Sequence, residues 1–456
     1  MEHCFFLVCF ASLSFPLSII LSRLQSVYTS NTMPRRPKGK VQTSTRPSTQ
    51  NSVSRKLLSK SLSALCLLGI GIVGYLLVLG LLTIPFLQHH AIYLHRVSTT
   101  WFQDLNIPEQ WGFLRNQVTP FTLSTPDGVT LHAWHILPLG LYRRHEEELL
   151  ESVEVEGIHT DITERLGFNL LRDDPDSLLV LFFHGAGGTL GAGWRPAGFR
   201  AMHAAAPDNI HTVAIDYRGF GLSTGAPSEQ GLLTDAITLA KWAMQEAGIP
   251  PSRIVLFGQS LGTAVSISLA HYFATQPDPT LFAGMVLVAP FADVELLTAT
   301  YRIGGTIPVL GPLAPFPRLL AFFNTFILSK WPSKHKLAAF VRACESMPGD
   351  DPKYSVTVIH AEDDFEVPWS HADQLFWHAV DAARPDGIAF DDLEKEKAQT
   401  RKMLGPAGWV AEHRTARGVI REEIAKWGLH DQIMSYPIVS LAIRRAFGDK
   451  VLSPGR

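Results

Sequence analysis

The stretch LFGQSLGTA, residues 256–264, places Ser260 between two glycines just after an apolar run. Residues 258–262 fit the pattern G-x-S-x-G, in which a strand turns sharply into a helix and holds a serine hydroxyl in the open. Gly258 and Gly262 are the elbow glycines, and they allow backbone segments to approach closely there. A serine so placed can be a nucleophile if a base, an acid and oxyanion-binding N–H groups lie nearby.

Apolar runs alternate with helical segments along the rest of the chain. Five runs suit strands that are buried on both faces: SLLVLFFHG (177–185), HTVAIDYRGFG (211–221), RIVLFG (253–258), GMVLVAP (284–290) and VTVIHA (356–361). Residues 229–247 have a helical period, and residues 121–138 predict a hairpin around a Pro-Asp-Gly turn. The alternation predicts a mostly parallel, doubly wound α/β sheet with its site at the carboxyl ends of the strands.

Several groups downstream of Ser260 could complete a catalytic triad. Three carboxyl groups follow the VTVIHA strand, and the residues alone leave the choice among them open: Glu362, Asp363 and Asp364. Of the four later histidines, we expect His371 and His378 on a helix surface and His413 in a solvated loop. His430 follows Gly428 and precedes a C-terminal apolar helix, so the loop after the last strand can return it to the serine. His430 is the predicted base and His413 the alternative.

Across residues 121–447, the motifs HGAGG, DYRGFGLS, GQSLGT, HAEDDFEVP and GLHD occur in the order that the α/β-hydrolase superfamily shows, and the chain resembles that family. The resemblance implies the order serine, acid, histidine. It assigns the acid to Asp364, in register with the pattern H-G-x-x-D-x-x-V-P, although Ala361 replaces the usual glycine. With the apolar N-terminal segment, the likeness is to membrane-anchored monoacylglycerol lipases and lysophospholipases, including lysophosphatidylserine lipases.

Two backbone N–H groups are candidate oxyanion donors. One belongs to Leu261, the residue after the nucleophile, and the resemblance to H-G-x-x-G loops assigns the other to Ala186. Taken alone, the glycine loop at residues 184–188 could also be a phosphate-binding turn, but no lysine follows it and it fits neither nucleotide-binding glycine motif. Metal-site motifs are likewise missing from the sequence, and we expect no cofactor.

The composition excludes few functions. The net charge of −2 gives no reason to expect a nucleic-acid partner, and a hydrophobic content of 46% is ample for a large core. Of the four cysteines, only Cys344 lies outside the apolar N-terminal stretches, so no disulfide is expected within the catalytic domain.

The N-terminal part predicts a membrane anchor. Residues 62–87 contain no charge, whereas eight lysines and arginines and no acid occur from residue 31 to residue 60. The positive-inside rule then places the N-terminal side in the cytosol. We expect a hydrophobic stretch at Phe5–Leu21 and a disordered basic tail up to residue 61, a span at 62–87, a connector at 88–118 and a catalytic domain at 119–450. The sequence leaves open whether Phe5–Leu21 is a signal-like segment, a second span that would invert the topology, or a stretch that precedes a start at Met33. The family resemblance implies an endoplasmic-reticulum enzyme with a lumenal catalytic domain.

Two insertions are predicted within the catalytic domain. An apolar, proline-rich cap occupies about residues 293–345, and a charged surface insertion occupies about residues 381–408. A cap of this composition favours an acyl-ester lipid as substrate. A thioester, peptide or soluble ester cleaved by the same triad, and a non-enzymatic interaction protein of this fold, remain the alternatives. The sequence leaves the oligomeric state open.

Overall fold

The computed structural model describes residues 50–97, 100–151, 157–303, 305–308, 310–349 and 354–448. The chain divides into two compact units, Met1–Val73 and Gly74–Arg456. The predicted apolar stretch Phe5–Leu21 and the basic tail up to residue 49 lie outside the described residues.

Helix α1 (Gln50–Leu82) contains an apolar segment, Lys60–Leu82, of 23 residues and mean hydropathy 2.6. At ~1.5 Å per residue, this segment is about 34 Å long, enough to cross the hydrocarbon core of a bilayer. Most of its side chains are exposed rather than packed in protein, with Leu62 at 65% and Leu67 at 70%, whereas Leu79 near its C-terminal end is buried against Leu310 and Leu313. The segment therefore differs from the core helix of a soluble domain. Residues 50–61, expected in the disordered tail, are helical instead.

The predicted span of residues 62–87 is interrupted near its C-terminal end. Helix α1 stops at Leu82, and Pro85 opens a separate helix, α2 (Pro85–Tyr93). Proline has no N–H group and fits only the first turn of a helix, so the break falls just before it. Residues 85–87 thus belong to a helix that packs on the catalytic domain, as described below.

A ten-stranded sheet forms the centre of the second unit, in the order β1-β2-β4-β3-β5-β6-β9-β12-β11-β10. The six central strands of this order, β4-β3-β5-β6-β9-β12, are parallel to one another, and the strands at both edges pair antiparallel. The predicted fold, with its N-terminal hairpin, is confirmed. The strands of the sheet are β1 (Val118–Ser124), β2 (Thr130–Ile136), β3 (Leu178–Phe183), β4 (Ile210–Asp216), β5 (Ile254–Gln259), β6 (Gly284–Val288), β9 (Tyr354–Ala361), β10 (Lys402–Met403), β11 (Gly408–Arg414) and β12 (Gly418–Ala425).

Helices cover both faces of this sheet. Alternate residues of β3 enter opposite cores, with Leu179 and Leu181 on one face and Val180 and Phe182 on the other. This two-sided burial explains the continuous apolar runs in the sequence. The helices after α2 are α3 (Leu139–Arg144), α4 (Glu146–Glu151), α5 (Leu166–Arg172), α6 (Arg195–His203), α7 (Glu229–Gln245), α8 (Leu261–Ala274), α9 (Val294–Thr300), α10 (Pro317–Asn324), α11 (Ser333–Ser346), α12 (Ser370–Ala383), α13 (Phe390–Thr400) and α14 (Pro437–Phe447).

Strands β11 and β12 were not anticipated by the sequence pattern. They follow α13, which occupies much of the expected surface insertion but is anchored by a buried lysine: Lys397 Nζ lies 2.6 Å from Asp373 Oδ1 and 3.0 Å from Glu422 Oε2. Strand β12 pairs in parallel with β9, so that Ala425 lies opposite Ala361. The segments that follow these two strands therefore begin side by side at the same edge of the sheet.

The predicted cap range contains two kinds of structure. Helix α9, the short ribbon of β7 (Arg302–Ile303) and β8 (Ile307–Pro308), and α10 lie outside the sheet. Helix α11, in contrast, buries Leu337 and Val341 in the same core as α8 and α12. The part of this range that leaves the sheet-and-helix sandwich thus ends before Ser333.

Candidate active site

Ser260 lies at the turn between β5 and α8, with φ +51° and ψ −116°. A non-glycine residue in such a conformation costs about 1–3 kcal/mol and persists only where its surroundings hold it. Here the Ser260 N–H donates to the Val288 carbonyl at 3.0 Å. A Cβ at Gly258 would lie 2.4 Å from the Gly262 carbonyl oxygen, and one at Gly262 would lie 1.8 Å from that of Phe183. Both elbow glycines are therefore required sterically.

The carboxyl group of Asp364, which follows β9, is placed to orient a histidine. One oxygen, Oδ1, accepts hydrogen bonds from the N–H groups of Glu366 (2.9 Å) and Val367 (3.0 Å). The other, Oδ2, lies 2.7 Å from His430 Nδ1 and 3.1 Å from His360 Nε2. The carboxyl groups of the two preceding acids have other partners: Glu362 forms an ion pair with Lys426, and Asp363 accepts a hydrogen bond from the N–H of Leu429 at 2.8 Å.

His430 follows β12 in a loop that is tied to the elbow. Gln259, the residue before the serine, donates through Nε2 to Asp431 Oδ1 at 2.9 Å. Because Nδ1 of His430 is engaged by Asp364, Nε2 is left to face a reacting group. Among the described residues, the structure records no hydrogen bond between this ring and the Ser260 hydroxyl. Such bonds are often long in the absence of substrate.

Acidic neighbours favour the charged form of this histidine. Burial lowers the pKa of the His430 imidazole, but the hydrogen bond with Asp364 and the charges of Asp364, Asp431 and Glu366 outweigh burial and raise the pKa to about 9. Burial raises the pKa of the Asp364 carboxyl, but its hydrogen bonds with His360 and His430 hold that pKa well below its usual range. The two groups form an ion pair that stabilises an imidazolium.

The loop after β3 passes beside the elbow. A Cβ added to Gly185 would lie 3.2 Å from Ser260 Cβ. Among the described residues, the N–H groups of Ala186 and Leu261 have no recorded acceptor, whereas those of Gly187 and Gly188 are already bonded within the protein. The geometry is compatible with Ala186 and Leu261 as oxyanion donors.

Arg195 fixes this loop from the interior. Its guanidinium donates to the carbonyl oxygens of Gly185 (3.0 Å), Gly187 (2.7 Å) and Thr189 (2.5 Å). The side chain is 6% exposed, so the charge is buried and satisfied by backbone oxygens. Neither Arg195 nor the contact of Gln259 with Asp431 could be found by motif, because the partners of Arg195 are backbone carbonyls and Asp431 is distant in sequence from Gln259. His360, in contrast, is the first residue of the pattern that assigned Asp364.

The other histidines differ partly from expectation. His371 was expected on a helix surface, but it is buried on α12, where it accepts the Ala292 N–H at 3.2 Å, and burial lowers its pKa to about 4. His378 is half-buried against Trp377 and His335. His413 lies on β11 rather than in a loop, because β11 pairs with β12. Among the described residues, no group of three or more histidine, cysteine or acidic side chains could hold a metal ion.

Residues 180–426, more than half of the chain, match the alpha/beta hydrolase family. Lysophosphatidylserine lipase ABHD12 of Danio rerio is 26% identical over 292 residues, covering 64% of this chain and 66% of the relative. The protein of that name from Xenopus tropicalis is 26% identical over 325 residues, covering 70% and 73%. Protein ABHD12B of Homo sapiens is 26% identical over 297 residues, covering 64% and 70%.

Among solved structures, an alpha-beta hydrolase from Vibrio vulnificus superposes with a TM-score of 0.45 at 15% identity, covering 81% of this chain and 93% of the other. The sequence match is the stronger finding, since it runs from β3 to the end of β12 and so contains the elbow and the segment after β9. It agrees with the parallel sheet and with the strand–turn–helix at Ser260. This chain belongs to the α/β-hydrolase family.

Proposed function

We propose that this protein is a membrane-anchored serine hydrolase that cleaves the acyl ester of a lipid, a monoacylglycerol or a lysophospholipid. The observation that carries the proposal is the 2.7 Å hydrogen bond between His430 and Asp364, in a loop tied to the elbow that presents Ser260. A serine hydroxyl is a poor nucleophile at neutral pH, and this arrangement supplies the base that it needs.

The proposed reaction proceeds through an acyl-enzyme. His430 Nε2 takes the proton of Ser260 as the hydroxyl attacks the ester carbonyl, while Asp364 holds the ring and stabilises its positive charge. The N–H groups of Ala186 and Leu261 bind the oxyanion. The imidazolium then protonates the leaving alcohol. Water, activated by the same histidine, releases the fatty acid in the second half of the cycle.

Two features favour a lipid as the substrate. Two of the relatives named above, those from Danio rerio and Xenopus tropicalis, are lysophosphatidylserine lipases. The cap also exposes large apolar side chains around α10, including Phe316 (60%), Phe322 (55%) and Leu328 (56%). An apolar surface of this kind in a chain with a bilayer-length helix suits a substrate that is drawn from a membrane.

The proposal includes a location. Helix α1 is a single span with the basic N-terminal side in the cytosol, and the catalytic domain is in the lumen of the endoplasmic reticulum. A tag placed after Arg456 should be protected from added protease in sealed microsomes and become accessible after detergent. Cleavage without detergent would reverse the orientation.

The function is tested by lipid hydrolysis in membranes that contain the full chain. Wild type should release fatty acid from monoacylglycerols or lysophospholipids, and Ser260→Ala should abolish the release. Ser370→Ala, at the exposed start of α12, is the matched control and should be fully active. If wild type and Ser260→Ala hydrolyse these lipids equally slowly but differ on thioesters or peptides, the triad stands and the substrate assignment is wrong.

A further inference from the structure

The segment between the membrane helix and the catalytic domain contacts the proposed oxyanion loop directly. The N–H of Gly187 donates to the Tyr93 carbonyl at 2.9 Å, and that of Gly188 donates to the Val97 carbonyl at 2.8 Å. Both glycines have a positive φ, +68° and +69°. The loop next to Ser260 is thus held by two hydrogen bonds from outside the sheet. We call residues 85–97 the connecting segment.

A left-handed turn in the connecting segment presents these carbonyl groups. Leu94 has φ +49° and ends α2, its N–H bonded to the His90 carbonyl at 3.1 Å. The Val97 N–H returns to the Leu94 carbonyl at 2.8 Å. A non-glycine residue adopts this conformation only where the surroundings favour it. The turn brings the Tyr93 and Val97 carbonyls to the same loop.

The other side of the connecting segment holds the cap. The buried Gln88 amide donates to the Phe326 carbonyl at 2.6 Å and accepts the Leu328 N–H at 3.1 Å. The hydroxyl of the fully buried Tyr93 lies 2.8 Å from Ser329 Oγ. Three hydrogen bonds therefore join α2 to the stretch between α10 and α11.

We propose that the connecting segment is a positioning element of the active site, which fixes the oxyanion loop through the Leu94 turn and fixes the cap through Gln88 and Tyr93. The inference rests on the proposed function. The N–H groups of Gly187 and Gly188 are hydrogen-bonded to this segment. The N–H of Ala186, in the same loop, is therefore left for the substrate. Residues next to the anchor thereby set both the reaction rate and the entry of long acyl chains.

The loop contact is tested with two substitutions at one exposed site. Leu94→Pro cannot adopt a positive φ and loses the N–H, whereas Leu94→Gly adopts the turn freely. On a short-chain ester, Leu94→Pro should lower kcat about 10- to 100-fold with little change in KM, since misplacing a reacting group by ~1 Å can cost that much. Leu94→Gly should stay within about twofold of wild type. A folded Leu94→Pro enzyme with wild-type kcat would overturn the loop contact.

The cap contact is tested independently, so that the proposal can still be refuted if Leu94→Pro does not fold. Gln88→Ala should raise KM for a long-chain monoacylglycerol at least about fivefold and leave KM for a short-chain ester unchanged, because only the long chain needs the cap. Gln399→Ala, the same change at an exposed site on α13, is the control. Equal KM values for Gln88→Ala and Gln399→Ala would refute the cap contact. An inactive wild type would instead refute the proposed function.

Discussion

The charge of Asp431, after that of Asp364, should help to set the pH at which the enzyme becomes active. The pKa of His430 is raised to about 9, and Asp431 is among the acidic neighbours that raise it. A base must be neutral to accept the serine proton, so kcat/KM should increase with pH and level off above about 9. At pH 7, two units below that pKa, only about 1% of His430 is neutral.

Asp431→Asn removes this charge and keeps the oxygen that accepts the Gln259 hydrogen bond. Because Asp431 is exposed, its interaction with the imidazolium is worth about 1 kcal/mol, or about 0.7 of a pKa unit. The acidic limb should move to lower pH by that amount, which raises kcat/KM at pH 7 about fivefold. High salt should shrink the difference, since it screens exposed charges.

The assay is kcat/KM on a soluble ester from pH 6 to pH 10. Glu362→Gln is the matched control, because the carboxylates that raise the pKa of His430 are Asp364, Asp431 and Glu366 rather than Glu362, and its profile should overlie that of wild type. An Asp431→Asn profile with the wild-type midpoint, or a wild-type profile that levels off below pH 7, would refute the reasoning about His430.

Further predictions concern the elbow, the loop and the buried lysine. Gly262→Ala should lower the free energy of unfolding by at least about 2 kcal/mol, whereas Gly167→Ala, whose Cβ would meet nothing closer than 3.6 Å, should be tolerated. Equal melting temperatures for the two variants would contradict this prediction. Arg195→Gln should lower kcat about 10-fold or more on short esters, because three loop carbonyls lose their donor. A kcat equal to that of wild type would contradict the role of Arg195 in holding the loop. Lys397→Met should cost about 3–5 kcal/mol at pH 7.5, because two buried carboxylates lose their counter-charge. The loss should be smaller at pH 5, since burial raises the pKa of both carboxyls and they then take up protons; denaturant titrations at the two pH values measure this.

The residues that a local pattern specifies were predictable. The G-x-S-x-G turn and the apolar strands placed Ser260 correctly between β5 and α8, because two-sided burial leaves a continuous apolar run. The acid was not decided by the residues alone, since three carboxyls follow β9. It is distinguished in the structure by the contact with His430, which depends on the pairing of β12 with β9.

Strand β12 was missed because charged side chains interrupt it. Glu422 is fully buried there, and its ion pair with Lys397 from another element makes that burial tolerable. The role of residues 85–97 was hidden for a similar reason, since their contacts with the loop use backbone carbonyls that no side-chain pattern reveals. Long-range pairings of this kind cannot be read from one segment of sequence.

The most direct test of the central claim is the rate at which a fluorophosphonate probe phosphonylates the protein in membranes, with the modified residue mapped by mass spectrometry. The account predicts that wild type is labelled at Ser260 and that Ser260→Ala is not labelled. Labelling of His430→Ala should be slower by at least about 10³-fold, while His413→Ala should match wild type. A folded wild type that is not labelled, or undiminished labelling of His430→Ala, would contradict the assignment of Ser260 and His430 as nucleophile and base.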